Sequence, residues 1–130
     1  MVQNSQPSEK IKALIVDDKH IIHDMFRLLL GFHGHHLTFV DNPHDAIPAI
    51  QKEKFDIVFC DIVMPGKNGI DLLQEMKSVS PQLPVVMMSG FTVDEKRRRA
   101  KELGAAACLD KPFEREEFSS LIQGLTGKKI

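Results

Sequence analysis

The sequence is 130 residues long, 27% charged and 42% hydrophobic, with a formal net charge of -1. This length suits one domain around a single core. The charge balance gives no reason to expect direct nucleic-acid binding, and no apolar run approaches the length that crosses a bilayer. The opening segment MVQNSQPSEK has neither the basic nor the apolar region of a signal peptide. Cys60 and Cys108 fall in separate apolar runs and form no CxxC pair, so the chain reads as a cytoplasmic domain with reduced thiols.

Residues 1-9 are polar and contain Pro7 and two serines, a composition that cannot bury enough apolar surface to hold a shape and predicts a flexible tail. The domain itself is read over residues 10-126, with a short tail at 127-130. A first strand runs from Lys12 to Val16 and ends on Asp17-Asp18. Ile22, Met25, Phe26 and Leu29 then repeat at helical spacing, and Gly31 or Gly34 can end that helix. His36 to Val40 is a second strand. Asn42-Pro43 can cap and start a second helix, but Pro48 would cost about 3 kcal/mol inside a regular helix, so a kink or a late start is predicted.

Phe55 to Cys60 is apolar and β-branched or aromatic at most positions, too short and unbroken for an amphipathic helix. It reads as a strand buried on both faces, ending on Asp61. Met64-Pro65-Gly66 breaks regular structure, and Asn68-Gly69 begins the helix marked by Ile70, Leu73 and Met76. A fourth strand, Pro84 to Met88, leads into Ser89-Gly90. A charge-rich helix follows from about Asp94 to Leu103 with Gly104 as its cap, then a strand at Ala106 to Leu109. After Asp110-Lys111-Pro112-Phe113, a final helix carries Phe118, Leu121, Ile122 and Leu125 on one face. Five alternations of strand and helix predict an α/β fold: a flavodoxin-like, doubly wound, five-stranded parallel sheet of order 2-1-3-4-5 with five helices.

In such a sheet the strand ends bearing Asp17-Asp18, Asp61, Ser89 and Lys111 share one edge, the edge at which these folds bind ligands. Three clustered carboxylates repel, with a pair about 4 Å apart costing up to roughly 4 kcal/mol at an effective dielectric of 20. Cations are therefore required. Lys111 supplies one, and an all-oxygen site suits a hard octahedral ion such as Mg2+. A carboxylate beside Mg2+, a hydroxyl and an ammonium is equipped to attack phosphorus and form an acyl phosphate.

These elements together resemble the response-regulator receiver domains of two-component signalling, over about Ile11 to Leu125. The motifs are Val16-Asp17-Asp18, Asp61 followed by Met64-Pro65 and Gly69, Ser89-Gly90, and Lys111-Pro112-Phe113. The resemblance implies a phosphoacceptor switch in which Asp61 takes the phosphoryl group of a phosphohistidine. Mg2+ would be held by Asp18, Asp61 and the backbone carbonyl of Val63, with Asp17 acting through a metal-bound water. Ser89 would report the phosphate and Lys111 pair with it. It also implies a sensor histidine kinase or phosphotransfer protein as partner and possible homodimerisation through the face of helix 4, strand 5 and helix 5. The chemistry would be limited to self-phosphorylation and self-dephosphorylation.

Three positions depart from the family pattern. Cys108 stands three before the lysine, where many receivers have an aromatic residue, and Val63 and Phe91 stand two after the acceptor and two after the hydroxyl. A phosphohydrolase with an aspartyl-phosphate intermediate would need a second acid shortly after Asp61, and position 63 is valine. A phosphorylation-independent interaction domain would have no need of Asp61, Ser89 and Lys111 together. His33, His35 and His36 lack a carboxylate or thiol at ligand spacing and read as solvated loop residues, with His20, His23 and His44 on helix surfaces. Arg97, Arg98 and Arg99 read as a solvated helix face open to partners.

Overall fold

A computed structural model describes residues 10-31, 34-90, 94-111, 113-128 and 130. The strands are β1 (Lys12–Val16), β2 (His36–Val40), β3 (Ile57–Asp61), β4 (Val85–Ser89) and β5 (Ala107–Asp110). The helices are α1 (His20–Leu29), α2 (Ala46–Lys52), α3 (Gly69–Val79), α4 (Asp94–Glu102) and α5 (Arg115–Thr126). All strand pairs are parallel, and the order is β2-β1-β3-β4-β5, as the alternation predicts. No helix among the described residues is long and apolar enough to cross a membrane.

Side chains along each strand alternate between the two faces of the sheet. Ala13, Ile15, Ile57, Phe59, Val86 and Met88 pack under α1 and α5 with Phe26, Phe118 and Ile122. Leu14, Val16, Val58, Cys60, Val85 and Met87 pack under α2, α3 and α4 with Leu72, Leu73, Met76 and Ala100. Every residue of β3 and β4 is buried, which is why both strands are legible as unbroken apolar runs.

The second helix takes the late start. Asn42 Oδ1 accepts the Asp45 N–H at 3.1 Å and caps a 3-10 turn, Pro43–Asp45; α2 begins only at Ala46. Pro48 is thus the third residue of α2, within the first turn, where backbone N–H groups have no partner inside the helix. Its missing N–H costs nothing there. The end of α4 also follows the sequence: Gly104 has φ +97, its N–H bonds Lys101 O, and the Ala105 N–H bonds Ala100 O, the two bonds of a Schellman cap.

One close approach fixes the loop after β3. Asn68 Oδ1 accepts the N–H groups of Ile70 and Asp71 at 2.7 and 3.2 Å, and the Gly69 N–H bonds Ile62 O at 2.9 Å. The start of α3 is thereby folded back onto the end of β3. A Cβ on Gly69 would lie 2.3 Å from the Asp61 carbonyl oxygen, so glycine is required for space.

Candidate functional site

Asp17 and Asp18 follow β1, Asp61 and Ser89 are the last residues of β3 and β4, and Lys111 follows β5. The parallel register sets these ends side by side. Val16 pairs with Cys60, Asp61 with Met88, and Ser89 with Asp110. Asp17, Asp61 and Ser89 are buried.

The charged groups converge in a small volume. Lys111 Nζ donates to Asp17 Oδ2 at 2.8 Å and lies 3.4 Å from Asp61 Oδ2. Asp61 Oδ1 accepts the Val63 N–H at 3.3 Å, and Asp17 Oδ1 accepts the Lys19 N–H at 2.9 Å. One carboxylate oxygen from each of Asp17, Asp18 and Asp61 lies within 4.8 Å of the other two. Burial, then repulsion by Asp17, raises the Asp61 carboxyl above its ordinary pKa, against the opposing pull of Lys111, the Val63 N–H and Lys19.

Two oxygens stand out. Asp18 Oδ1 and Asp61 Oδ2 are buried and accept no hydrogen bond from the described residues. The nearest ammoniums are at ion-pair distances, Lys111 as above and Lys19 Nζ 3.6 Å from each of the two oxygens, outside the usual hydrogen-bond range. Buried anionic oxygens without donors, in an all-oxygen set, fit a hard cation such as Mg2+.

The sequence matches the response regulator receiver domain family over residues 13–123. The chain belongs to that family. The receiver domain is 34% identical over 113 residues to the response regulator protein FleR of Pseudomonas aeruginosa, covering 85% of this chain and 24% of that protein. It is 30% identical over 112 residues to sporulation initiation phosphotransferase F of Bacillus subtilis, covering 86% of this chain and 90% of that protein. With the transcriptional regulatory protein TcrX of Mycobacterium tuberculosis, 28% identical, it shares 90% of its own length and 50% of TcrX. The chain therefore spans half or less of FleR and TcrX. Among solved structures, chemotaxis protein CheY4 of Vibrio cholerae superposes with a TM-score of 0.81 at 28% identity, covering 90% of this chain and 99% of that chain. The receiver domain of NtrX from Brucella abortus does so at 0.82 and 32%, covering 88% and 98%. Receiver domains are the phosphoacceptor switches of two-component signalling, and that is the function of this fold here.

Lys19 joins the site although no motif marks it; its signal is a lysine directly after the acidic pair, at the N-cap of α1, where Ser, Thr, Asp or Asn is preferred. His23 and His35 are buried instead of solvated. His23 Nε2 lies 2.7 Å from the Asp17 carbonyl oxygen, to which it must donate, with its ring against Phe39. His35 Nδ1 accepts the Ile11 N–H at 3.1 Å, while His36 is exposed and paired with Glu53. Cys60 is fully buried and its thiol pushed far up by burial, whereas Cys108 is half-buried. An open cavity of about 340 Å³ beside Cys108 is lined by Arg97, Lys101, Ala105, Ala106 and Ala107. The Val63 side chain is exposed. Phe91, His33 and Pro112 lie outside the described residues.

Proposed function

We propose that this receiver domain, spanning residues 10-126, takes a phosphoryl group onto Asp61 from a phosphohistidine of a sensor histidine kinase or phosphotransfer protein in the cytoplasm. The observation that carries the reading is the buried Asp61 Oδ2, without a hydrogen-bond donor among the described residues, beside Asp17, Asp18 and Lys111. An Asp61 oxygen attacks phosphorus, the P–O bond forms as the P–N bond breaks, and the leaving imidazole keeps the bonding pair and gains a proton. Asp18, Asp61 and the Val63 carbonyl would hold Mg2+, with Asp17 acting through a metal-bound water. When bound, that ion neutralises charge gathering on the phosphoryl oxygens. Lys111, freed from part of its pairing with Asp17, then serves the phosphoryl group, and Ser89 donates a hydroxyl to it.

The half-exposed Cys108 is too small to act as an aromatic lever, so the response leaves chiefly through Ser89 and α4. The face of α4, β5 and α5 is then the surface for a target or a second copy. Incubation with acetyl phosphate and Mg2+, followed by intact mass, tests the acceptor. Wild type and Ser89→Ala should gain one phosphoryl group and Asp61→Asn none. Equal gain by Asp61→Asn would refute the assignment.

A further inference from the structure

Lys19 breaks two rules of helix starts. It is the N-cap of α1 without a capping side chain, and a cation beside a helix N-terminus opposes the dipole of that helix. Such local conflicts are tolerated where a site repays them, and the ammonium shows where. Lys19 Nζ stands 3.6 Å from Asp18 Oδ1 and 3.6 Å from Asp61 Oδ2. Among the described residues, these are the two buried side-chain oxygens that accept no hydrogen bond.

We propose that Lys19 is a built-in counter-ion that occupies the place of the divalent cation, steadies the acidic pocket without metal, and must swing out for metal to enter. The inference rests on the Mg2+ reading above. Charge counting supports an exchange over joint occupancy. Asp17, Asp18 and Asp61 give three negative charges and Lys111 one positive; Lys19 leaves the pocket one short of neutral, whereas a dication in its stead balances it. Both together would place like charges side by side. The side chain can leave, because it is 55% exposed and its ammonium makes no hydrogen bond to either oxygen, while the backbone stays tethered by the Lys19 N–H to Asp17 Oδ1. Lys19 therefore sets the metal concentration at which the domain becomes competent.

Lys19→Met keeps the length of the side chain and removes the charge. Calorimetric titration with Mg2+ should show the variant binding about tenfold more tightly than wild type. Thermal unfolding in EDTA should show the metal-free variant melting lower, with a larger rise on adding Mg2+. Lys54→Met, an exposed lysine away from the site, controls for net charge and should match wild type in both. Equal or weaker Mg2+ binding by Lys19→Met would overturn the counter-ion role while leaving the metal site intact. Failure of all three proteins to bind Mg2+ would overturn the metal reading itself.

Discussion

Replacing Gly69 with alanine tests how rigidly the loop after β3 presents Asp61. The added Cβ would lie 2.3 Å from the Asp61 carbonyl oxygen, 2.7 Å from Ile62 Cα and 2.8 Å from Ile62 O. All three are backbone atoms, and the shortest contact falls more than 1 Å below the 3.4 Å at which ordinary contact begins. No rotamer relieves this, so the first turn of α3 must lift off β3 and break the bond from Gly69 N–H to Ile62 O. Overpacking costs 1–3 kcal/mol in most cores, and a clash borne wholly by backbone belongs at or above about 3 kcal/mol. At about 4 °C per kcal/mol for a domain of this size, the melting temperature should fall by roughly 12 °C. Because the clash falls on Ile62, the neighbour of Val63 whose N–H donates to Asp61 Oδ1, phosphoryl uptake should slow as well. Gly124→Ala supplies the contrast: its Cβ meets nothing within 4 Å in the exposed part of α5, and alanine there should add up to about 1 kcal/mol. Circular dichroism melts in EDTA decide the matter. If Gly69→Ala melts with wild type, the loop yields freely and the close approach does not hold the site.

Mg2+ at a hundredfold excess over its dissociation constant should stabilise the wild type by about 2.7 kcal/mol; a melt indifferent to millimolar Mg2+ in both wild type and Asp18→Ala would contradict the site. The Asp61 carboxyl has a folded pKa above its unfolded value, so between the two the native state holds the extra proton and metal-free stability falls as pH rises. Asp61→Asn should therefore raise the melting temperature in EDTA at pH 7 and flatten its pH profile; a lowered melting temperature would count against this. Val63 cannot hydrogen-bond a water approaching the phosphoryl group. Val63→Asn should shorten the lifetime of phosphorylated Asp61, and an unchanged decay rate would show that this side chain does not control that water.

The strand order was legible because β3 and β4 are buried on both faces and appear as unbroken apolar runs. The late start of α2 and the cap at Gly104 were legible because proline and glycine act within a turn of their own position. Lys19, His23 and His35 were not. The Ile11 N–H reaches His35 across 24 residues and leaves no local pattern; Lys19 stands out locally only as a lysine at a helix start, and its meeting with Asp61 arises only once β1 and β3 lie side by side. His23 sits one residue off the stripe of Ile22 and Phe26, close enough to be carried inward with it.

The two faces of the sheet are unequally anchored. Behind α1 and α5, the rings of Phe26, Phe59, Phe113 and Phe118 interlock with centroids 4.9 to 6.0 Å apart, and Phe113 ties the chain after Lys111 to that mass. Across the sheet α4 buries a single residue, Ala100, and leans on an ion pair from Arg97 to Asp110. The lysine end of the pocket is thus bolted to the stiff wall and the serine end opens toward a loosely hung one. Local opening free energies should rank accordingly, with α4 amides exchanging with solvent well before those of α1. A modest pull at Ser89 would then be spent moving one helix, leaving the grip on Asp17 and Lys111 undisturbed.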